Sequence, residues 1–160
     1  MRFVAPVLVV MALSGVARAD FDLVGGHAAY SIGGAVANGP GDGARSALDA
    51  GIAFGWMEHH GGGDMGGSDE GTTLGASVVT GFATSPTVVA VEAGYGSDFV
   101  LAGANASVGP VLQIDPSARF GVTARATFDL VYSQLGLRVT LVGVDKPELS
   151  IAATIGVGVF

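Results

Sequence analysis

From Leu48 onward, apolar side chains recur at every second position in a series of short segments. Alternation at period two predicts β-strands with two unlike faces. Leu48, Ala50, Ile52, Phe54 and Trp56 form one apolar row, opposed by Asp49, Gly51, Ala53 and Gly55. Similar rows run over 74–82, 87–95, 100–108, 120–132, 135–141 and 149–159. A weaker one lies within 21–37, with Val24, Ala28, Tyr30, Ile32 and Val36 as its apolar positions. The pattern predicts an all-β chain of about eight strands.

No apolar row contains a charged residue. The charges within strands, Asp49, Glu92, Arg125, Asp129 and Arg138, all fall on the other face. A lipid-facing Arg or Lys costs about 2–4 kcal/mol at the bilayer midplane, so this segregation predicts apolar rows toward lipid and charges inward. The expected fold is a single closed antiparallel up-and-down transmembrane barrel. The five inward charges would make an interior network, because buried charges need partners. Switching of those partners would be one way to gate a water path.

Turn lengths suggest registers. A two-residue turn at Ser133-Gln134 pairs Tyr132 with Leu135 and sets Asp129 opposite Arg138. A turn at Ser85-Pro86 pairs Phe82 with Val89, and one at Asp115-Pro116-Ser117 pairs Leu112 with Phe120. Pro110, which cannot donate to a ladder, predicts a bulge in the fifth strand. With both termini at one end, Trp56, Tyr95 and Tyr132 gather there as membrane-interface aromatics.

The first nineteen residues read as an export signal: Arg2, the apolar run 3–16, and the small-x-small site Ala17-Arg18-Ala19. The barrel domain would then be 20–160. Without Arg2 and Arg18, five basic residues face fourteen acidic ones, a net charge of −9. Nucleic acid is excluded as a partner, since phosphate binding needs clustered basic residues. The chain has no cysteine, so no disulfide framework supports it. A mean hydropathy of +0.56 and only 13% charged residues argue against disorder. Period two, with Gly, Thr and Ser-Pro in 72–91, argues against helical spans there.

Signal, strand number, alternation and the terminal aromatic Phe160 together resemble the small outer-membrane barrels of the OmpA transmembrane-domain and OmpX type. The resemblance covers 20–160. It implies the outer membrane of a Gram-negative bacterium, outer-membrane lipid and the barrel-assembly machinery as partners, and Phe160 as an assembly signal. Such proteins serve structural, surface-interaction or minor-pore roles, so the protein or small-molecule ligand stays unknown. Two features depart from the pattern. Phe160 shares parity with Gly156 and Gly158 rather than with Val157 and Val159, and the long Gly-rich connection 59–71 falls on the periplasmic side.

Chemistry-bearing motifs are sparse. His59, His60 and Asp64 are weak metal candidates on a floppy Gly-rich segment, and no metal or cofactor is expected. His27 and Ser31 share a face but stand about 13 Å apart along a strand, too far for a nucleophile and its base. The sequence therefore predicts no enzymatic activity. The alternative from another class is a soluble periplasmic lipocalin-like barrel that binds a small apolar ligand. That reading demands apolar residues inside and charges outside. Between Leu74 and Val144 there is no Lys and one Glu, a poor exterior for a soluble barrel.

Overall fold

The computed structural model describes residues 22–35, 45–60, 67–81, 87–99, 101–115, 117–145 and 147–159. The expected export signal, Asp64 and Phe160 lie outside them. The described residues form eight antiparallel strands and no helix. In chain order these are β1 (Asp22–Ala35), β2 (Arg45–His60), β3 (Ser68–Gly81), β4 (Val88–Phe99), β5 (Ala102–Gln113), β6 (Arg119–Leu130), β7 (Ser133–Val142) and β8 (Glu148–Val159). Each strand pairs with its sequence neighbours, and β8 returns to β1, closing the barrel. Closure leaves no edge strand with unpaired backbone groups, which lipid would not tolerate.

Cross-strand partners fix the size of the cylinder. From Trp56 they run through Thr72, Tyr95, Ala106, Ala126, Leu137, Ala153 and Ile32, and return to β2 at Ser46. The start and end positions, 56 and 46, differ by ten residues. Eight strands with that stagger tilt by about 40° and enclose a backbone cylinder of about 8 Å radius. Such a lumen is narrow enough for side chains to fill.

Alternation carries through to burial. Leu137 is 50% exposed and its neighbour Arg138 3%. Ile52, Val91, Val122, Phe128, Leu135 and Ile155 face outward, while Asp49, Ser77, Glu92, Thr123, Asp129 and Thr154 are buried inside. The apolar side chains form the outer belt. Polar ones make up most of the core, the inverse of a soluble protein.

Four details differ from expectation. The β6–β7 turn is Val131-Tyr132, so Leu130 pairs with Ser133 and Tyr132 sits in the turn. The new register pairs Asp129 with Gln134 and Arg125 with Arg138, in place of the expected Asp129–Arg138 pair. The β3–β4 hairpin shifts likewise, pairing Val79 with Val88 and Val78 with Val89. Both slips are even, so every side chain keeps its face, and alternation is blind to them. Pro110 makes no bulge: the β4–β5 register is constant on either side, and the ladder simply lacks the pairs opposite Pro110 and Gly109. A Cβ on Gly109 would collide with the Val91 carbonyl, so glycine lets the two strands approach there. A register shift occurs instead between Leu23 and Gly25 in β1, where Leu23 turns outward. The Asp115-Pro116-Ser117 turn pairs Leu112 with Phe120 as expected.

Candidate functional site

The lumen is crossed at mid-height by a layer of ionic side chains. Each is placed by an inward position of its strand: His27 on β1, Asp49 on β2, Ser77 on β3, Glu92 on β4, Arg125 on β6 and Arg138 on β7. Arg138 is the hub. Its Nε donates to Asp49 Oδ2 at 2.9 Å and its Nη2 to Asp49 Oδ1 at 3.2 Å, a bidentate grip. Its Nη1 donates to Glu92 Oε1 at 3.0 Å, and Nη2 also reaches Ser77 Oγ at 3.0 Å. One guanidinium thereby ties β7 to β2, β3 and β4 across the barrel.

Arg125 stands directly opposite Arg138 in the ladder, a repulsive pair that needs shared counter-charges. Glu92 supplies one, with its Oε2 3.9 Å from Arg125 Nε. His27 links Arg125 to Asp49. Its Nε2 lies 3.0 Å from Asp49 Oδ1, and its Nδ1 lies 3.0 Å from Arg125 Nη1. Arg125 Nη1 also lies 2.6 Å from His27 Nε2, so the imidazole is wedged between the Arg125 guanidinium and the Asp49 carboxylate. Two guanidiniums and two carboxylates then balance, as a desolvated layer requires.

Of the five charges expected to act together, four share this layer. Asp129 does not: it sits two inward positions nearer the chain termini and accepts a 2.8 Å bond from Gln134 Nε2. His27, Ser77 and Gln134 complete the polar interior and were not in the expected network. Inward parity was their signal, and uncharged residues carry it less visibly. Nearer the termini, Asn105 Nδ2 donates to Thr73 Oγ1 at 3.2 Å. On the far side of the layer, Thr123 and Thr140 hydroxyls meet at 3.1 Å.

The ends of the barrel differ. At the end bearing the termini, Trp56, Tyr95 and Tyr132 lie on the outer face or in the turn, with Tyr132 among the most exposed. There β2 runs on to His60 and β3 starts at Ser68, so strand pairing takes in both ends of the connection expected as a loop over 59–71. His59 Nδ1 meets Asp69 Oδ1 at 2.6 Å and His60 Nε2 meets Glu70 Oε1 at 2.9 Å. The two histidines engage different carboxylates, and no metal-holding group of three or more His, Asp or Glu occurs among the described residues. At the other end, Val88, Ala90, Val111 and Val142 form a small apolar core inside the lumen, with Val79 packed against it.

No protein-family model and no curated protein matches the chain. Among solved structures, that of the outer membrane enzyme PagL is similar, at 8% identity, covering 84% of this chain and 99% of that one with a TM-score of 0.48. An inverted, closed eight-stranded cylinder decides the architecture. This is a small outer-membrane-type β-barrel. That neighbour is named as an outer membrane enzyme, so the expectation that this chain has no enzymatic activity is withdrawn. The likeness extends to fold compatibility and assigns no activity to any residue of this chain.

Proposed function

We propose that this chain resides in the bacterial outer membrane as a sealed barrel of the OmpA-transmembrane-domain and OmpX kind. In this reading it is a membrane-embedded scaffold, and it conducts ions only when its interior rearranges. The observation that carries the proposal is the Arg138 guanidinium, bonded at once to Asp49, Glu92 and Ser77 across the lumen. A layer so cross-linked leaves no continuous aqueous path, and opening one requires Arg138 to exchange partners. The large apolar belt supports insertion in lipid. A lipocalin-like soluble barrel needs those residues inside, where ionic and hydroxyl groups stand instead.

Fractionation and planar-bilayer recording test the proposal together. The folded protein is expected in the outer-membrane fraction as a band that migrates faster unboiled than boiled. Purified wild type should rest at a closed level, and Arg138→Ser should hold an open one. Recovery as a soluble periplasmic species, or a wide steady pore in the wild type, rejects it.

A further inference from the structure

Once Asp129 is counted with the ionic layer, the charges buried in the lumen no longer balance. Among the described residues they are Asp49, Glu92 and Asp129 against Arg125 and Arg138, one positive charge short. Buried charge without a counter-charge is costly. His27, its side chain 6% exposed, stands beside this set and is able to supply the missing charge. Its partners in the ladder are both glycine, Gly51 on β2 and Gly158 on β8. A Cβ on Gly51 would lie 2.7 Å from His27 Cε1, so the ring occupies the space that glycine leaves. A Cβ on Gly158 would lie 3.0 Å from Asp129 Oδ1, so Asp129 reaches over the neighbour of His27 on its other side. The charged groups around the ring are therefore Asp49 from β2 and Arg125 and Asp129 from β6. Glu92 on β4 and Arg138 on β7 act through them, and the inward positions of β8 from Ala152 to Gly158 carry no titratable group.

The contacts of the ring depend on its charge. A guanidinium only donates, so Arg125 Nη1, 3.0 Å from His27 Nδ1 and 2.6 Å from Nε2, bonds the ring only through a nitrogen that carries a lone pair. An imidazolium has none. Asp49 Oδ1, 3.0 Å from Nε2, is by contrast a stronger partner for the charged ring. Two complementary atoms also stand without a hydrogen bond, Arg125 Nε and Asp129 Oδ2, both buried on β6. Resting on the gated-barrel reading above, we propose that His27 is the proton-operated element of the gate. The ring takes a proton from bulk water, displaces Arg125, which turns along β6 toward Asp129, and draws Asp49 away from Arg138. The interior then holds three cations and three anions. The links from β6 to β1 and from β7 to β2 are lost, while those from Arg138 to Ser77 and Glu92 remain. The layer parts on the side of β1 and β2, and acid opens the barrel.

The test joins nitrogen NMR of the histidine rings in micelles with planar-bilayer current. Both run from about pH 8 to about pH 5, the span over which histidine ordinarily changes charge. Wild type should pass from closed to open as the pH falls. The His27 ring, identified by its absence from the His27→Gln spectrum, should become imidazolium over the same span. His27→Gln and His27→Asn each keep a donor and an acceptor without a titratable ring. Folded by the criterion of the unboiled fast-migrating band, both should stay closed throughout. His59→Gln combined with His60→Gln, at the rim, should keep the full response. Asp129→Asn removes the excess negative charge, so the midpoint of His27 should fall by about one pH unit or more, a tenfold loss of proton affinity. A wild type that stays closed in acid, a His27→Gln variant that opens with it, or an Asp129→Asn midpoint that does not move overturns the proposal. Arg138→Ser separates it from the reading on which it rests. A closed Arg138→Ser rejects the gate and this proposal with it, whereas an open one beside a wild type closed at every pH rejects only the part given to His27.

Discussion

The two levels of the lumen are packed by opposite means. The level away from the termini carries a cluster of Val88, Ala90, Val111 and Val142 on β4, β5 and β7, which need no partners and tolerate small errors of fit. The middle level is filled by Asp49, Glu92, Arg125 and Arg138, each of which is costly unless its partners are in place. An apolar cluster is robust but has no partners to exchange. An ionic one is brittle, and that brittleness allows it to be rearranged. Uniform filling by valine would close the barrel as well, so the ionic level points to a demand other than closure.

The largest expected effect comes from removing the hub. Arg138→Leu fits the space but strands Asp49 and Glu92 without their main partner, and breaking a buried pair in this way costs about 3–5 kcal/mol. Urea unfolding in detergent micelles, followed through Trp56, the sole tryptophan, should show a large drop in midpoint. Replacing Asp49, Glu92, Arg125 and Arg138 together by apolar residues should recover much of that loss, since no charge of the layer is then left alone. If the quadruple variant is as unstable as the single one, ionic partnership is not what the middle level requires.

A smaller effect is expected at the apolar level. Val111 is almost fully buried, and Val111→Ala removes two methyl groups while the tilted strands relax around the gap. The expected loss is about 2 kcal/mol, transfer and cavity terms together. Unlike Arg138→Ser, it should leave the bilayer current closed, because the ionic layer still spans the lumen. An open current in Val111→Ala would move the seal from Arg138 to the valines and erase the contrast between the two levels.

The faces of this barrel were legible in the sequence, whereas its pairings were only partly so. Lipid penalises an outward Arg138 or Asp129 at each position independently, so parity is written residue by residue. Register is a collective property, and a slip of two residues on each strand leaves parity untouched. The Asp115-Pro116-Ser117 turn carries conventional turn residues and was readable. The β6–β7 turn does not: Val131 adopts a φ of 59°, a conformation usually left to glycine or asparagine. The misread turn moved Arg138 from its expected partner Asp129 to Asp49 and Glu92. Those contacts come from β2 and β4, and closure of the cylinder alone brings them together. His27 was equally hidden, because its role depends on Asp49 and Arg125 converging from two other strands.

The smallest effect belongs to the rim, where charge pairing resembles the middle level in chemistry but not in setting. Arg119 Nη1 donates to Glu148 Oε2 at 3.2 Å, and its Nη2 donates to the Val142 carbonyl at 3.2 Å. Both side chains keep over a quarter of their surface in solvent. Water screens such a pair, and its coupling should fall between about 0.2 and 1 kcal/mol. A double-mutant cycle with Arg119→Ala and Glu148→Ala, run at low and high salt, measures it. The coupling should shrink as salt rises, because the screening length then falls below the distances that matter at an exposed rim. The cost of Arg138→Leu should not change, since salt does not enter a desolvated layer. A rim coupling as large and as salt-insensitive as the Arg138 effect would mean that burial is not what separates the two. The distinction between a rearrangeable plug and an ordinary surface ion pair would then fail.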